Sequence, residues 1–117
     1  MKNFDEKFDF RDARNLSMCM DFYELTMSQC YFNSDAKDKI VSFDLFYRKN
    51  PDNGGYAVFA GLEEIIGFIQ NLHFSDEDIA YLRSLHTFSE PFLDYLRHFI
   101  FTGDVYAVQE GTPVFPY

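Results

Sequence analysis

Asp21 and Tyr23 stand two residues apart in "MDFYELTMSQCYF", Met20 to Phe32, and they are the residues best suited to meet a small ligand. A Tyr can stack its ring on an aromatic ligand and still offer its hydroxyl to a polar group. The plainer alternative is a core Tyr beside a surface Asp, the usual fate of large aromatics. A second candidate is Arg48 with Lys49, just before the loop "NPDNGG". Backbone N–H groups in such a loop can form an anion nest, and two cations would favour it. The phosphate-loop pattern G-x-x-x-x-G-K-[ST] does not follow, however, and an ordinary strand-to-strand turn accounts for the same residues.

The remaining chemistry-bearing side chains read more simply. His73, His86 and His98 are scattered, with no nucleophile nearby in sequence, and suit solvated or capping roles. Glu63 with Glu64, and Asp76 with Glu77 and Asp78, fit solvated helix faces and helix-dipole partners better than paired catalytic carboxylates. Cys19 and Cys30 fall on one expected helix, their Cα atoms roughly 16 Å apart at 1.5 Å rise per residue. A disulfide needs less than about 7 Å, so none is expected, which agrees with a reducing compartment. Their apolar, acidic setting disfavours a nucleophilic thiolate, and no Cys or His stands at zinc-ligand spacing.

The elements that would carry these residues follow from periodicity. The stretch to Phe32 reads as a helix with two apolar stripes: Met20, Tyr23, Met27 and Cys30 or Tyr31 on one side, Met18, Phe22, Leu25 and Phe32 on the other. A narrow polar seam of Asp21, Glu24 and Ser28 separates them, so the helix is expected to be covered on two sides. Residues 1–14 read as a loosely ordered arm. "IVSFDLFYRK" alternates as a half-buried strand, with Val41, Phe43, Leu45 and Tyr47 on one face. "YAVFAGLEEIIGFIQNL" begins extended and turns helical, with Leu62, Ile65, Ile66, Ile69 and Leu72 as its buried face. Gly67 inside that helix costs about 1 kcal/mol against Ala, which points to close packing there. Two further helices start at Ser75, with Asp78 completing a capping box, and at Ser89, with Pro91 early in the helix. "GDVYAV" and "TPVF" read as strands flanking "QEGT".

The totals bound what these elements can do. The chain has 117 residues, of which 47% are hydrophobic and 20% aromatic, enough for one domain with a modest core. That apolar content excludes a wholly disordered chain. No apolar run reaches the roughly 18 to 20 residues of a membrane span, and the N-terminus has no apolar signal core, so a cytoplasmic location is expected. The net charge of −9 opposes nucleic-acid and membrane-surface binding, which draw on clustered Lys and Arg. It also makes these residues a poor host for a polyphosphate unless cations or metal come from elsewhere.

Four blocks in order, "DFYELTMSQCYF", "FDLFYRKNP..GGYAVFAGLEE", "FSDEDIAYLRSL" and "FLDYLRHFIFTGDVYAVQEGTPVFP", resemble the amino-terminal part of nicotinate phosphoribosyltransferase over about residues 15–116. The resemblance implies an α/β (α+β-like) amino-terminal domain of a type II phosphoribosyltransferase over 15–117, its helices packed on a small mixed sheet, without the α/β barrel. It implies a complete enzyme that joins nicotinate to phosphoribosyl pyrophosphate, giving nicotinate mononucleotide and pyrophosphate in NAD salvage. ATP hydrolysis is coupled to that reaction, Mg²⁺ accompanies the phosphates, and the enzyme is a homodimer with sites at the subunit boundary. Neither Mg²⁺ nor ATP is expected on this chain alone.

By the same resemblance Asp21 and Tyr23 fall on the family's D-x-Y-x-L-T-M block, where the Tyr is expected to stack on the nicotinate ring. The second apolar side of the helix would then face a partner subunit and the substrate. No catalytic residue is expected among these positions, because the phosphorylated histidine and the phosphate-binding loops belong to the barrel. Three departures stand out: Met20 where the family usually has Thr, "PDNGG" with its added acid Asp52, and Gln109 where a Pro is usual. The chain is therefore expected to work as part of the larger enzyme, the alternative being a stand-alone interaction protein that pairs with itself or a full-length homologue.

Overall fold

Short polar side chains begin three of the four helices. A computed structural model describes residues 15–117, and the expected arm at 1–14 lies outside them. Helix α1 spans Phe22–Phe32 with Asp21 as its N-cap, whose backbone N–H donates to Glu24 Oε2 at 3.1 Å. Helix α2 spans Leu62–Gln70 and starts from Gly61, a left-handed residue at φ 98° that a β-carbon would strain. Helix α3, Asp76–Ser84, opens with the anticipated box: the Ser75 hydroxyl accepts from Asp78 N–H, and the Ser75 N–H donates to Asp78 Oδ2. Helix α4, Glu90–Arg97, opens with Ser89 accepting from Phe92 N–H and with Pro91 in its first turn.

The core sits where α3 and α4 pack on each other and on α1. Ile79 and Leu82 from α3 meet Phe92, Leu93 and Leu96 from α4, with Leu25 of α1 and the loop residues Phe74 and Phe88 closing the cluster. Burial of each such side chain contributes about 1.5–3 kcal/mol. The aromatic rings interlock: Phe92 lies 5.6 Å from Phe32 and 5.8 Å from Phe88. Ser17, also buried, donates its hydroxyl to the His73 carbonyl at 2.5 Å and ties the start of the described chain to the loop before α3.

The sheet departs from expectation. It has two strands of two residues each, β1 (Ala57–Val58) and β2 (Pro113–Val114), paired antiparallel with Ala57 opposite Val114. Among the described residues it is not mixed, and the core is built from α1, α3 and α4 instead of on the sheet. Two further backbone bonds, Phe59 N–H to the Thr112 carbonyl and Gly111 N–H to the Phe59 carbonyl, extend the pairing into the turn, where Gly111 adopts φ 82°.

Residues 40–47 alternate as foreseen but form no strand. Ile40, Phe43 and Leu45 are 98%, 90% and 87% exposed, and the segment's tie to β2 runs through Tyr47, whose hydroxyl lies 2.7 Å from the Val114 carbonyl. "GDVYAV" likewise forms no strand, so β2 pairs with β1 instead of with it. Alternation states which face a strand would bury; it cannot supply the ladder partner that makes a strand.

Two helix expectations need the same correction. The apolar face of α2 is not buried among the described residues, with Ile65 and Ile66 37% and 42% exposed. A β-carbon on Gly67 would meet nothing within 4 Å, so no close packing explains that glycine.

Candidate functional site

Helix α1 has one side in the core and one side in the open. At 100° per residue, Phe22, Leu25 and Phe32 share the inner side. Leu25 is buried, Phe32 is half-buried against Phe92, and Phe22 meets Phe88 edge-on at 5.7 Å. The outer stripe is Met20, Tyr23, Met27 and Tyr31, with Tyr23 59% exposed. The expected second apolar side therefore exists, and among the described residues it is left about half exposed.

Tyr23 and Asp21 sit together at the start of this stripe. Tyr23 presents its ring on the surface, where the buried-core alternative does not hold. Asp21 is exposed and caps the helix. No hydrogen bond or ion pair among the described residues joins either of them to the Arg48–Lys49 loop. That loop is a single 3₁₀ turn at Pro51–Asn53, with Asp52 and Asn53 both at φ 54°. Arg48 lies over the Phe46 ring at 5.6 Å, and the loop leads from an extended segment into β1, so it is not a strand-to-strand turn.

A cavity of about 320 Å³ opens beside α1, between Met20, Tyr31, Phe32, Phe74, Tyr95 and Phe99. It is apolar, with Lys37 Nζ at its rim 4.6 Å from the Phe32 ring centre. Tyr23 does not line it, so the structure does not bring the candidate Tyr and this cavity into one site.

The other candidates behave as surface groups. His73 Nδ1 pairs with the Asn71 carbonyl and His98 Nδ1 with the Asp94 carbonyl, both satisfying loop and helix-end backbone. Cys19 precedes α1 and does not share its helix with Cys30; both thiols are free and exposed, outside the apolar setting expected for them. The described residues contain no group of three or more His, Cys, Asp or Glu that could hold a metal ion. The charge pair that stands out is Arg83 with Glu90, a two-pronged contact at 2.7 and 2.9 Å from α3 to the start of α4. The hydrogen bond to Arg83 holds the Glu90 carboxyl below its ordinary value.

Gln29 is the residue the sequence reading passed over. Its Nε2 donates to the Thr87 carbonyl at 3.2 Å, and its Oε1 accepts from the Ser89 N–H at 2.7 Å. The signal was present: Phe22, Leu25, Gln29 and Phe32 run i, i+3, i+7, i+10, which puts an amide in the inner stripe. The turn before α4 provides that amide with both its partners.

Comparison with known proteins adds a further observation. The family model described as nicotinate phosphoribosyltransferase (NAPRTase) N-terminal domain matches residues 18–117. Nicotinate phosphoribosyltransferase 1 of Arabidopsis thaliana is 44% identical over 98 residues, 82% of this chain and 18% of that protein. Nicotinate phosphoribosyltransferase pncB2 of Mycobacterium tuberculosis is 42% identical over 96 residues, 82% of this chain and 20% of that protein. The Bacillus subtilis nicotinate phosphoribosyltransferase is 39% identical over 109 residues, 93% of this chain and 22% of that protein. The chain thus spans about a fifth of the length of the curated relatives it matches.

Proposed function

The chain belongs to the nicotinate phosphoribosyltransferase N-terminal domain family, and on that premise we propose that it supplies one wall of a nicotinate site, and dimer contacts, within a type II phosphoribosyltransferase. The complete enzyme joins nicotinate and phosphoribosyl pyrophosphate into nicotinate mononucleotide and pyrophosphate, in the cytoplasm, as a step of NAD salvage. One observation carries the reading: α1 holds a half-exposed stripe led by Tyr23, while its other side is locked into the core. A ring on a rigid helix, open on one face, suits stacking on a flat heteroaromatic acid. Met27 and Tyr31 along the same stripe give a second subunit an apolar surface to cover.

The chemistry itself is assigned elsewhere. Displacing pyrophosphate from an anomeric carbon needs positive charge around the leaving group. These residues carry a net charge of −9 and, as described, no metal-holding cluster. Mg²⁺ and ATP are therefore assigned to the rest of the enzyme. No helix among the described residues is long and apolar enough to cross a membrane. No observation favours the alternative of a stand-alone interaction protein.

The test is steady-state kinetics of the complete enzyme carrying Tyr23→Ala. Loss of one aromatic stack is worth about 0.5–1.5 kcal/mol, so the nicotinate KM should rise about 2- to 12-fold. The KM for phosphoribosyl pyrophosphate should stay put, and Tyr23→Phe should behave as wild type. An unchanged nicotinate KM in Tyr23→Ala removes Tyr23 from the site.

A further inference from the structure

We propose that Gln29 is a positioning residue for the nicotinate wall: it sets the rotation of α1 about its axis and so the direction in which Tyr23 points. The proposal rests on the reading of Tyr23 given above. Its geometric basis is independent of that reading. Gln29 stands six residues after Tyr23, about 120° around the helix at 100° per residue, so the two side chains leave α1 on different sides.

Apolar packing alone fixes a helix loosely, because it is non-directional and proportional to area. The inner stripe of α1 contains one buried residue, Leu25, flanked by Phe22 and Phe32 with partial cover. Such a stripe tolerates a small roll. Hydrogen bonds do not, since they weaken steeply away from about 3 Å and a near-straight angle. Gln29 makes two of them, one as donor and one as acceptor, to the backbone of Thr87 and Ser89. These residues bracket Phe88, whose ring is buried in the core and meets both Phe22 and Phe92. Ser89 is also the N-cap of α4. The amide therefore ties α1 to the turn around Phe88, about one and two-thirds helical turns from Tyr23.

These half-exposed contacts add little net stability, but their directional geometry favours one rotation of the helix over neighbouring ones. Gln29→Leu keeps the volume and apolar character of the stripe while removing both bonds. It should leave the fold standing and blur the angle of Tyr23. Gln29→Glu keeps an acceptor for the Ser89 N–H and loses the donor to Thr87.

The experiment is a double-mutant cycle in the complete enzyme, with nicotinate KM and kcat measured for Gln29→Leu, Tyr23→Ala and the pair. Because the effect runs through Tyr23, Gln29→Leu should raise the nicotinate KM about 2-fold or more but by no more than Tyr23→Ala does, with kcat within about twofold and Gln29→Glu falling between. In the Tyr23→Ala background the same substitution should change nothing further, because the group it positions is gone. An equal effect in both backgrounds, or an unchanged KM when Tyr23→Ala itself is impaired, overturns the proposal. Amide hydrogen exchange supplies a reading independent of activity. The Ser89 amide and the amides of residues 25–32 should exchange faster in Gln29→Leu. Unchanged exchange overturns the proposal even where Tyr23→Ala proves silent, a result that on its own would remove only the nicotinate reading.

Discussion

At the scale of single residues, position in the helix decided roles that residue type left open. Asp21 and Tyr23 are neighbours in sequence, yet one caps α1 through its backbone and the other projects a bare ring. The Arg83–Glu90 pair shows how far one contact carries. Its hydrogen bond lowers the Glu90 pKa from an ordinary 4.5. A carboxyl whose folded-state pKa lies below its unfolded value stabilises the fold above the unfolded value and loses that contribution as pH falls through the folded one. The melting temperature of Glu90→Gln should therefore lie below wild type at pH 7, the gap closing below about pH 4.5. Thermal melts from pH 7 to pH 3 check this. Both side chains are exposed, so added salt should shrink the gap as well. A gap that ignores both pH and salt would mean the pair does not link α3 to α4 energetically.

At the scale of elements, local signals placed the starts of α3 and α4 correctly, put that of α1 a turn too early and failed where a partner was needed. Ser75 and Ser89 begin their helices because their hydroxyls satisfy N–H groups that the helix itself leaves unpaired. That is a matter of three or four adjacent residues. Helix α2 carries an equally clear apolar face, but burial of that face depends on residues distant in sequence, and among the described ones it is covered only in part. Gly67 follows from this. With open space where its β-carbon would sit, its cost in a helix is not offset by packing. Gly67→Ala should stabilise this chain by about 0.5–1 kcal/mol in urea denaturation, mainly through lower unfolded-state entropy. Destabilisation instead would reveal a close neighbour for α2.

At the scale of the whole molecule, the core is concentrated in α1, α3 and α4, while apolar surface is left open elsewhere. Ile40, Val41, Phe43 and Leu45 stand exposed, as do Ile100 and Tyr106 and the outer stripe of α1. Patches of this kind mark surfaces that another chain or domain covers. The isolated chain at tens of micromolar should therefore sediment heavier than its 13.8 kDa monomer. Phe43→Asp with Leu45→Lys should shift it toward monomer in sedimentation velocity. A clean monomer for the parent chain would show that these surfaces tolerate water unaided.

Taken by itself, the amino-acid sequence determined the four helices, two of their hydroxyl caps, the double-sided character of α1 and the family to which the chain belongs. Each depends on near neighbours or on ordered blocks, and both are written along the chain. Only the tertiary structure decided which side of α1 enters the core, that Tyr23 lies outside the cavity beside that helix, and that Gln29 grips the turn around Phe88. It also left two well-patterned segments, 40–47 and 103–108, without a ladder partner. The physical reason is common to all of these. Periodicity fixes the direction of side chains relative to their own element, but burial, pairing and hydrogen-bond closure need a second element, and its position is a property of the folded whole.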